Sequence, residues 1–288
     1  MLADAITEAL ERSSALDRVG RLLGRATSSV VRSGRLKDFI SGTWLAHPLH
    51  PMLTDVTVGA WTSSFLLDLL GNEETRPGSD RLILLGALSA VPTATTGLSD
   101  MADVTTREER AVGALHAMGN LTALLLYSLA YAARRRGRRA GGLVLSAAGL
   151  GVASGAGFLG GHLAYRLGVG VDQTTFERGP TSWTAVLADD ELLEGKPKRV
   201  TVGTTNLLLY REAGRTHCIA NRCSHRGGPL HKGKIEDGQV RCPWHLSVFR
   251  LEDGSIVRGP ATAPQPAYEV RVSEGKIEVR AMGPGSGS

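Results

Sequence analysis

The sequence predicts two domains of different class, an all-α bundle of four transmembrane helices followed by an all-β domain. Residues 52–165 contain four apolar stretches that are separated by charged turns. Residues 181–282 instead alternate polar and apolar side chains, as half-buried strands do. The 288 residues have room for both domains. The expected division is an N-terminal segment at 1–42, the membrane bundle at 43–166, a linker at 167–182, the β domain at 183–282 and a disordered tail at 283–288.

The N-terminal segment carries apolar side chains at roughly helical spacing, with arginines between them. Ile6, Leu10, Val19 and Leu22 are among these apolar positions, and they predict one or two amphipathic helices. A basic amphipathic helix beside a membrane domain could lie on the membrane surface. Packing against the chain's own domains is the alternative, and the sequence leaves both open.

The four apolar stretches cover residues 52–70, 82–98, 112–133 and 142–163. A helix needs about 20 mainly apolar residues to cross the hydrocarbon core, and these stretches meet or approach that length. A soluble bundle of buried helices is the alternative, which Asp55 and Asp68 in the first stretch would favour. The last stretch has no charged residue from 142 to 159. We therefore predict four membrane spans.

Four of the eight histidines belong to the predicted membrane bundle. In an up-and-down bundle, the starts of the first and third helices lie at the same end as the ends of the second and fourth. Ionisable groups at such depth are costly and are usually functional. The set that we expect at one end of the bundle is His47, His50, Asp55, Asp100, His116 and His162.

Three interpretations of this histidine layer are open. Paired imidazoles from facing helices could be the axial ligands of a b-type haem, with His116 and His162 as the best pair. A cluster of His and Asp could hold a metal ion. The layer could also be a hydrogen-bonded network without a cofactor.

The β domain is predicted to consist of short strands joined by tight turns. Glu252 to Gly254 and Ser273 to Gly275 have the composition of hairpin turns. The predicted strands are 184–187, 198–202, 205–211, 215–221, 239–241, 247–250, 268–272 and 276–280.

Two short motifs in the β domain carry the chemistry, Cys223-Ser-His225 and Cys242-Pro-Trp-His245. A tetrahedral zinc site accepts two Cys and two His, but zinc ligand pairs usually have two to four residues between them, and Cys-x-His has one. When each loop supplies one thiolate and one imidazole, two thiolates can bind one iron of a binuclear cluster and two imidazoles the other. Only one other cysteine, Cys218, is present, so an internal disulfide framework is excluded.

Residues 181–282 resemble the Rieske ferredoxin family, on these two motifs, on Gly259-Pro260-Ala261 and on the strand-like residues 268–272. The resemblance implies a [2Fe–2S] cluster. It also implies that the cofactor-binding and metal-ligating residues are Cys223, His225, Cys242 and His245.

The sequence departs from the family pattern beside these ligands. Gly228 and Trp244 stand where respiratory members carry two disulfide-forming cysteines, and Leu246 replaces the usual glycine. That replacement implies a differently shaped loop. Ser247 matches a serine whose hydroxyl hydrogen-bonds the cluster sulfide in members of higher potential, and such bonds raise the potential. The missing disulfide argues for a lower potential.

The membrane region resembles an uncharacterised bacterial family of four-span membrane domains that opens on His-Pro-Leu-His-Pro, here residues 47–51. That family brings no established activity. The net charge of +5 comes largely from arginines near the apolar stretches, which indicates membrane topology rather than nucleic-acid binding. The dense basic turn at 134–139 favours a cytoplasmic position for that turn and an extracytoplasmic β domain.

Together these features predict a membrane-anchored iron–sulfur protein that carries single electrons to or from a redox partner, which could be a reductase, an oxygenase or a respiratory component. We expect no catalytic residues, because no histidine follows His245 to complete a mononuclear iron site. One alternative is a membrane oxidoreductase that binds haem or quinone in the histidine layer. Another is a redox sensor.

Overall fold

The computed structural model describes residues 2–282, so the predicted disordered tail lies outside the described residues. The chain divides into two compact units. The first combines Met1–Arg32 with Pro48–Val169, and the second combines Ser33–His47 with Gly170–Ser288. They are called the helical unit and the β unit below.

Each of the four predicted apolar stretches is a helix in the helical unit: α4 (Leu49–Leu70), α5 (Arg76–Met101), α6 (Arg107–Arg135) and α7 (Arg139–Tyr165). Within the described residues, α5, α6 and α7 are long and apolar enough to cross a membrane. The helix α4 falls outside that set, since Asp55, Asp68 and several Ser and Thr side chains lower its hydropathy. By length and composition there are therefore three candidate spans, not the four that we predicted.

All four long helices contribute to the core of the helical unit, and side chains of α4 and α6 meet at its centre. Trp61 and Tyr127 are buried and stack with their ring centroids 4.2 Å apart. Toward the other end of these helices, the Asp68 carboxylate pairs with the Arg134 guanidinium at 2.5 Å, and both side chains are almost fully buried. Ser79 also accepts a hydrogen bond from Arg134. The ion pair and the hydrogen bonds offset the cost of removing these charges from water.

The predicted amphipathic helices are α1 (Leu2–Glu11) and α2 (Ser14–Val30). They pack against the helical unit, where Asp17 of α2 binds Arg110 of α6 at 2.8 Å. Gly20 contacts the Arg110 backbone so closely that a β-carbon would not fit. Of the two alternatives for this segment, the structure shows packing on the chain's own helices.

The β unit contains two antiparallel sheets. The six-stranded sheet has the order β1–β10–β9–β4–β3–β2, and its strands are β1 (Thr184–Ala188), β2 (Lys198–Val202), β3 (Thr205–Glu212), β4 (Arg215–Ala220), β9 (Ala267–Ser273) and β10 (Lys276–Ala281). The four-stranded sheet runs in chain order through β5 (Lys234–Glu236), β6 (Gln239–Arg241), β7 (Val248–Arg250) and β8 (Ile256–Arg258). The strands β5 and β8 were not predicted from the sequence.

Two segments outside the predicted β domain belong to the β unit. Ser33–His47 contains the helix α3 (Arg35–Ser41), whose Asp38 pairs with Arg258. The predicted linker also binds the sheets, because Thr205 donates a hydrogen bond to the Arg178 carbonyl at 3.1 Å. The expected boundaries at 42 and 167 therefore differ from those of the compact units, since these contacts join residues far apart in sequence.

Candidate metal centre

The two Cys-His motifs lie in two loops of the β unit. The first loop follows β4, and the second joins β6 to β7. Each loop folds back on its cysteine: the Cys223 amide donates to the Gly228 carbonyl at 2.9 Å, and the Cys242 amide donates to the Ser247 carbonyl at 2.8 Å. The loops therefore present Cys and His side chains from rigid turns.

The loops bring like side chains together. The Cys223 and Cys242 thiols are buried and share a hydrogen bond. The imidazole rings of His225 and His245 are perpendicular, with centroids 5.1 Å apart. The site is therefore a pair of thiols beside a pair of imidazoles.

The surroundings of the two thiols act in opposite directions, because the pKa of Cys242 is lowered and that of Cys223 is raised. The hydrogen bond from Cys223 lowers the pKa of the Cys242 thiol to about 7, and the backbone N–H groups of Trp244 and His245 act in the same direction. The donated hydrogen and burial raise the pKa of Cys223, whereas the N–H groups of His225 and Arg226 lower it. Backbone donors aimed at sulfur stabilise thiolates, which are the form that binds metals.

The surroundings of His225 favour a neutral imidazole. Burial lowers its pKa well below the usual value, and the neighbouring charges of His245, Lys37 and Arg226 act in the same direction. A neutral imidazole keeps a lone pair for a metal. Lys37 lies on α3, so this helix takes part in the electrostatics of the site.

The arrangement fits a binuclear cluster better than a single ion. Within residues 2–282, no three His, Cys, Asp or Glu side chains converge as the ligands of one metal ion. A structural zinc ion takes four protein ligands around one point, whereas each iron of a mixed-ligand [2Fe–2S] cluster takes two. Two thiols side by side and two imidazoles side by side match that division.

Residues far along the chain hold the first loop in place, and no sequence pattern indicated them. Gln265 is buried, and its side-chain oxygen accepts a hydrogen bond from the Ser224 amide at 3.0 Å. Its amide nitrogen donates to the Ala220 carbonyl at 2.9 Å. The Ser224 hydroxyl donates to the Ala263 carbonyl at 2.7 Å.

Gly228 and Trp244, two of the positions that depart from the family pattern, lie against each other beside the Cys242 thiol. A β-carbon on Gly228 would come within 2.7 Å of the Cys242 sulfur and 3.2 Å of the Trp244 ring. Trp244 thus fills the space above this glycine. Ser247 is buried, and its oxygen accepts a hydrogen bond from the Ala261 amide at 3.0 Å. Its hydroxyl hydrogen can still be donated to another acceptor.

The structure separates most of the predicted histidine layer. His47 is exposed and belongs to the β unit, and Asp55 is exposed on α4. His162 binds the Glu11 carboxylate of α1 at 2.8 Å.

Two members of the layer do meet inside the helical unit. The rings of His50 and His116 lie with centroids 6.3 Å apart. Asp100 is half-buried near the end of α5. Sequence spacing predicted which end of each helix the histidines occupy, but not which of them face each other.

Two loops that present paired thiols and paired imidazoles define an iron–sulfur protein with mixed Cys and His ligation. The family profile of the Rieske [2Fe-2S] domain matches residues 182–269. A second profile, described as predicted membrane protein (DUF2231), matches residues 46–173. The chain belongs to the Rieske [2Fe-2S] family and carries a [2Fe–2S] cluster as its cofactor, and its residues 46–173 match a predicted membrane protein family.

Known proteins resemble about a third of the chain. The human apoptosis-inducing factor 3 is 33% identical over 97 residues, which are 34% of this chain and 16% of that protein. The chain thus spans about a sixth of the length of that relative. The anthranilate 1,2-dioxygenase ferredoxin subunit of Burkholderia cepacia is 30% identical over 97 residues, which are 34% of this chain and 90% of the subunit.

One solved structure that the chain is similar to is the ferredoxin of carbazole 1,9a-dioxygenase from Nocardioides aromaticivorans IC177. The two sequences are 26% identical, the match covers 35% of this chain and 99% of that ferredoxin, and the TM-score is 0.34.

Proposed function

We propose that this protein is a membrane-anchored one-electron carrier. Cys223 and Cys242 would bind one iron of its [2Fe–2S] cluster, and His225 and His245 would bind the other. The observation that carries this proposal is the side-by-side placement of the two thiols and of the two imidazoles. The cluster supplies a one-electron ferric/ferrous couple. The similarity to a dioxygenase ferredoxin subunit supports a carrier rather than a self-sufficient catalyst.

The imidazole edge is the proposed route for electrons. Both cysteines are buried, whereas His225 and His245 are partly exposed. Trp244 is 49% exposed and Leu246 is 42% exposed, and they flank His245. Tryptophan is enriched among the residues that carry the binding energy of protein interfaces, which favours Trp244 as an anchor for a docking protein. The partner would be a reductase, an oxygenase or a respiratory component.

We further propose that α4 spans the membrane together with α5, α6 and α7. The charge of Asp68, which lowers the hydropathy of α4, is buried against Arg134 and Arg139 rather than exposed to lipid. At 22 residues α4 has the length that a span requires. Residues 43–166 would then be the membrane domain and residues 183–282 the cluster domain.

The proposed orientation places the cluster domain outside the cytoplasm. Arg135, Arg136 and Arg138 are exposed at the turn between α6 and α7, and exposed basic residues near span ends favour the cytoplasmic side. Single cysteines in this turn should react with a permeant maleimide in intact cells and not with an impermeant one. Reaction with both reagents would show that this turn lies outside the cytoplasm and would refute the proposed orientation.

The test of the carrier function uses the purified full-length protein. The reduced protein should give the electron paramagnetic resonance signal of an imidazole-ligated [2Fe–2S] cluster, with a low average g value. In the variant His245→Cys the midpoint potential should fall, because a thiolate stabilises oxidised iron. The matched control is His231→Cys, which should leave the potential unchanged. A signal typical of four-thiolate clusters in the unmodified protein would refute the ligand assignment.

A further inference from the structure

The helical unit contains an internal repeat in which α4 and α5 correspond to α6 and α7. The helix α4 begins with Leu49-His50-Pro51-Met52, and the matching stretch of α6 is Leu115-His116-Ala117-Met118. At the same sequence offset, Trp61 stacks on Tyr127 and Asp68 binds Arg134. Equivalent positions of α4 and α6 therefore form three pairs in the core: the two histidines, the two aromatic rings and the ion pair.

The partner helices α5 and α7 follow the same repeat. Gly97 of α5 lies against the His50 ring, where a β-carbon would come within 2.7 Å of it. Gly160 of α7 lies against the His116 ring in the same way, with a corresponding distance of 3.0 Å. The glycines of both helices thus make room for an imidazole from the neighbouring helix.

Both imidazoles are oriented by the same kind of hydrogen bond. The Nδ1 atom of His50 lies 3.0 Å from the Thr93 carbonyl, and that of His116 lies 2.8 Å from the Ala156 carbonyl. A carbonyl can only accept, so each Nδ1 carries a hydrogen and the Nε2 of each neutral ring is an acceptor. The Asn120 side-chain amide, 3.1 Å from Nε2 of His116, is a donor that fits this assignment.

This pattern is the one that metal-binding histidines show. A ligating imidazole almost always donates its other N–H to a carbonyl or carboxylate, which fixes the ring and raises its basicity. The two rings are 6.3 Å apart at an interplanar angle of 83°. Two imidazoles that bind one metal from opposite sides at about 2 Å each have centroids roughly 6 Å apart.

The ligand count selects the kind of metal group. Among residues 2–282 no third His, Cys, Asp or Glu joins the pair as a ligand group. A bare ion would keep only two protein ligands, whereas the iron of a haem needs only two because the porphyrin supplies four nitrogens. Bundle cores hold such cofactors between side chains of facing helices.

A flat group held by both imidazoles would lie among small side chains below the histidines. From His50 to Trp61 the helix rises about 16 Å at 1.5 Å per residue. The buried side chains over this interval are small, namely Thr57, Ala90, Ala123, Ala153 and Ala156.

We propose that His50 and His116 are the axial ligands of one b-type haem in the helical unit. The two ligands would come from equivalent positions of the internal repeat, one from each hairpin. This proposal is independent of the cluster assignment.

The experiment is performed on the full-length protein, purified in detergent from cells supplied with a haem precursor. A pyridine haemochrome assay should give one haem b per chain, and the dithionite-reduced optical spectrum should show six-coordinate low-spin haem. His50→Ala and His116→Ala should each lower the haem content at least tenfold. The matched controls His47→Ala and His162→Ala should retain it.

A second pair of variants guards against misfolding. His50→Met and His116→Met keep a ligand at each position and should bind haem with a shifted spectrum. The electron paramagnetic resonance signal of the cluster, recorded on the same samples, separates loss of haem from failure of the β unit. The proposal is overturned if the unmodified protein binds no haem b after incubation with haemin, if it holds a metal without porphyrin, or if all four alanine variants lose haem equally.

Discussion

Leu246, directly after His245, has a φ of 65°, which lies in the left-handed region. A side chain with a β-carbon is strained there by about 1 kcal/mol or more, whereas glycine is not. Relatives in the Rieske family usually have glycine at this place, and we expected a differently shaped loop from its absence. The loop instead takes the conformation that glycine would take, with leucine bearing the strain.

We therefore predict that Leu246→Gly stabilises the β unit. The expected gain is about 1 kcal/mol, because relief of the strain exceeds the loss of a side chain that is 42% exposed. Thermal unfolding of the holo-protein measures it. Leu246→Ala keeps the β-carbon and should not raise the stability. An equal rise in both variants would show that the backbone of Leu246 is not strained.

Gln265 shows how a residue remote in sequence positions a ligand loop. Gln265→Ala leaves the Ser224 amide and the Ala220 carbonyl without this partner in a buried place. Each such loss costs about 1–3 kcal/mol, so we expect about 3 kcal/mol of destabilisation and a lower cluster content per chain. Gln239→Ala in β6 is the matched control. Unchanged iron content in Gln265→Ala would show that the loop does not depend on this bond.

At the scale of elements, α3 is a part of the cluster site that lies far from it in sequence. Its Asp38 binds Arg258 at 2.5 Å, and the Thr43 hydroxyl after it donates to the Ala261 carbonyl at 3.1 Å. Lys37 is buried on the same helix, and its charge acts on His225.

The charge of Lys37 should raise the reduction potential of the cluster, because a cation stabilises the more negative reduced state. Lys37→Gln is expected to lower the midpoint potential by about 50 mV, equivalent to roughly 1 kcal/mol for one electron. Redox titration followed by electron paramagnetic resonance measures this shift. Lys276→Gln in β10 should leave the potential unchanged, and a shift of similar size there would point to a non-specific effect of net charge.

The pairing of α4 with α6 depends on a buried ion pair. Asp68→Asn leaves Arg134 with Asp80 alone, and Arg134→Met leaves Asp68 with Arg139 alone. Loss of one partner from a buried pair typically costs about 3–5 kcal/mol, and the remaining partner lowers that cost. The double variant should be less destabilised than the sum of the two single variants. Thermal loss of helical circular dichroism in detergent measures this cycle. Arg135→Met, at an exposed position of the same helix, should be neutral, and additive single effects would exclude coupling.

At the scale of the whole molecule, the two compact units have different sources of stability. The β unit gains the free energy of cluster binding, because ligands that hold a metal group link its loops. Chelation of iron under reducing conditions should therefore lower one of two thermal transitions by roughly 10 °C, equivalent to about 2 kcal/mol for a domain near 100 residues. The transition of the helical unit should not move. Equal shifts of both transitions would contradict independent units.

The sequence predicted much of the fold because the signals are local. Apolar runs marked all four long helices, and alternation marked eight of the ten strands. It did not predict β5 and β8, which have three residues each, or the packing of residues 33–47 with the β unit. Those contacts depend on pairs such as Asp38 and Arg258, whose separation leaves no periodic signal.

The two Cys-His motifs alone determined the kind of site, because the spacing within each loop restricts the metal group that four such ligands can hold. Only the tertiary structure decided which distant residues position those loops and which histidines of the helical unit meet. His50 and His116 face each other because α4 and α6 are equivalent helices in the two hairpins of the repeat. His162 instead binds Glu11. The packing of whole helices determines which histidines meet, and no single stretch of sequence encodes that packing.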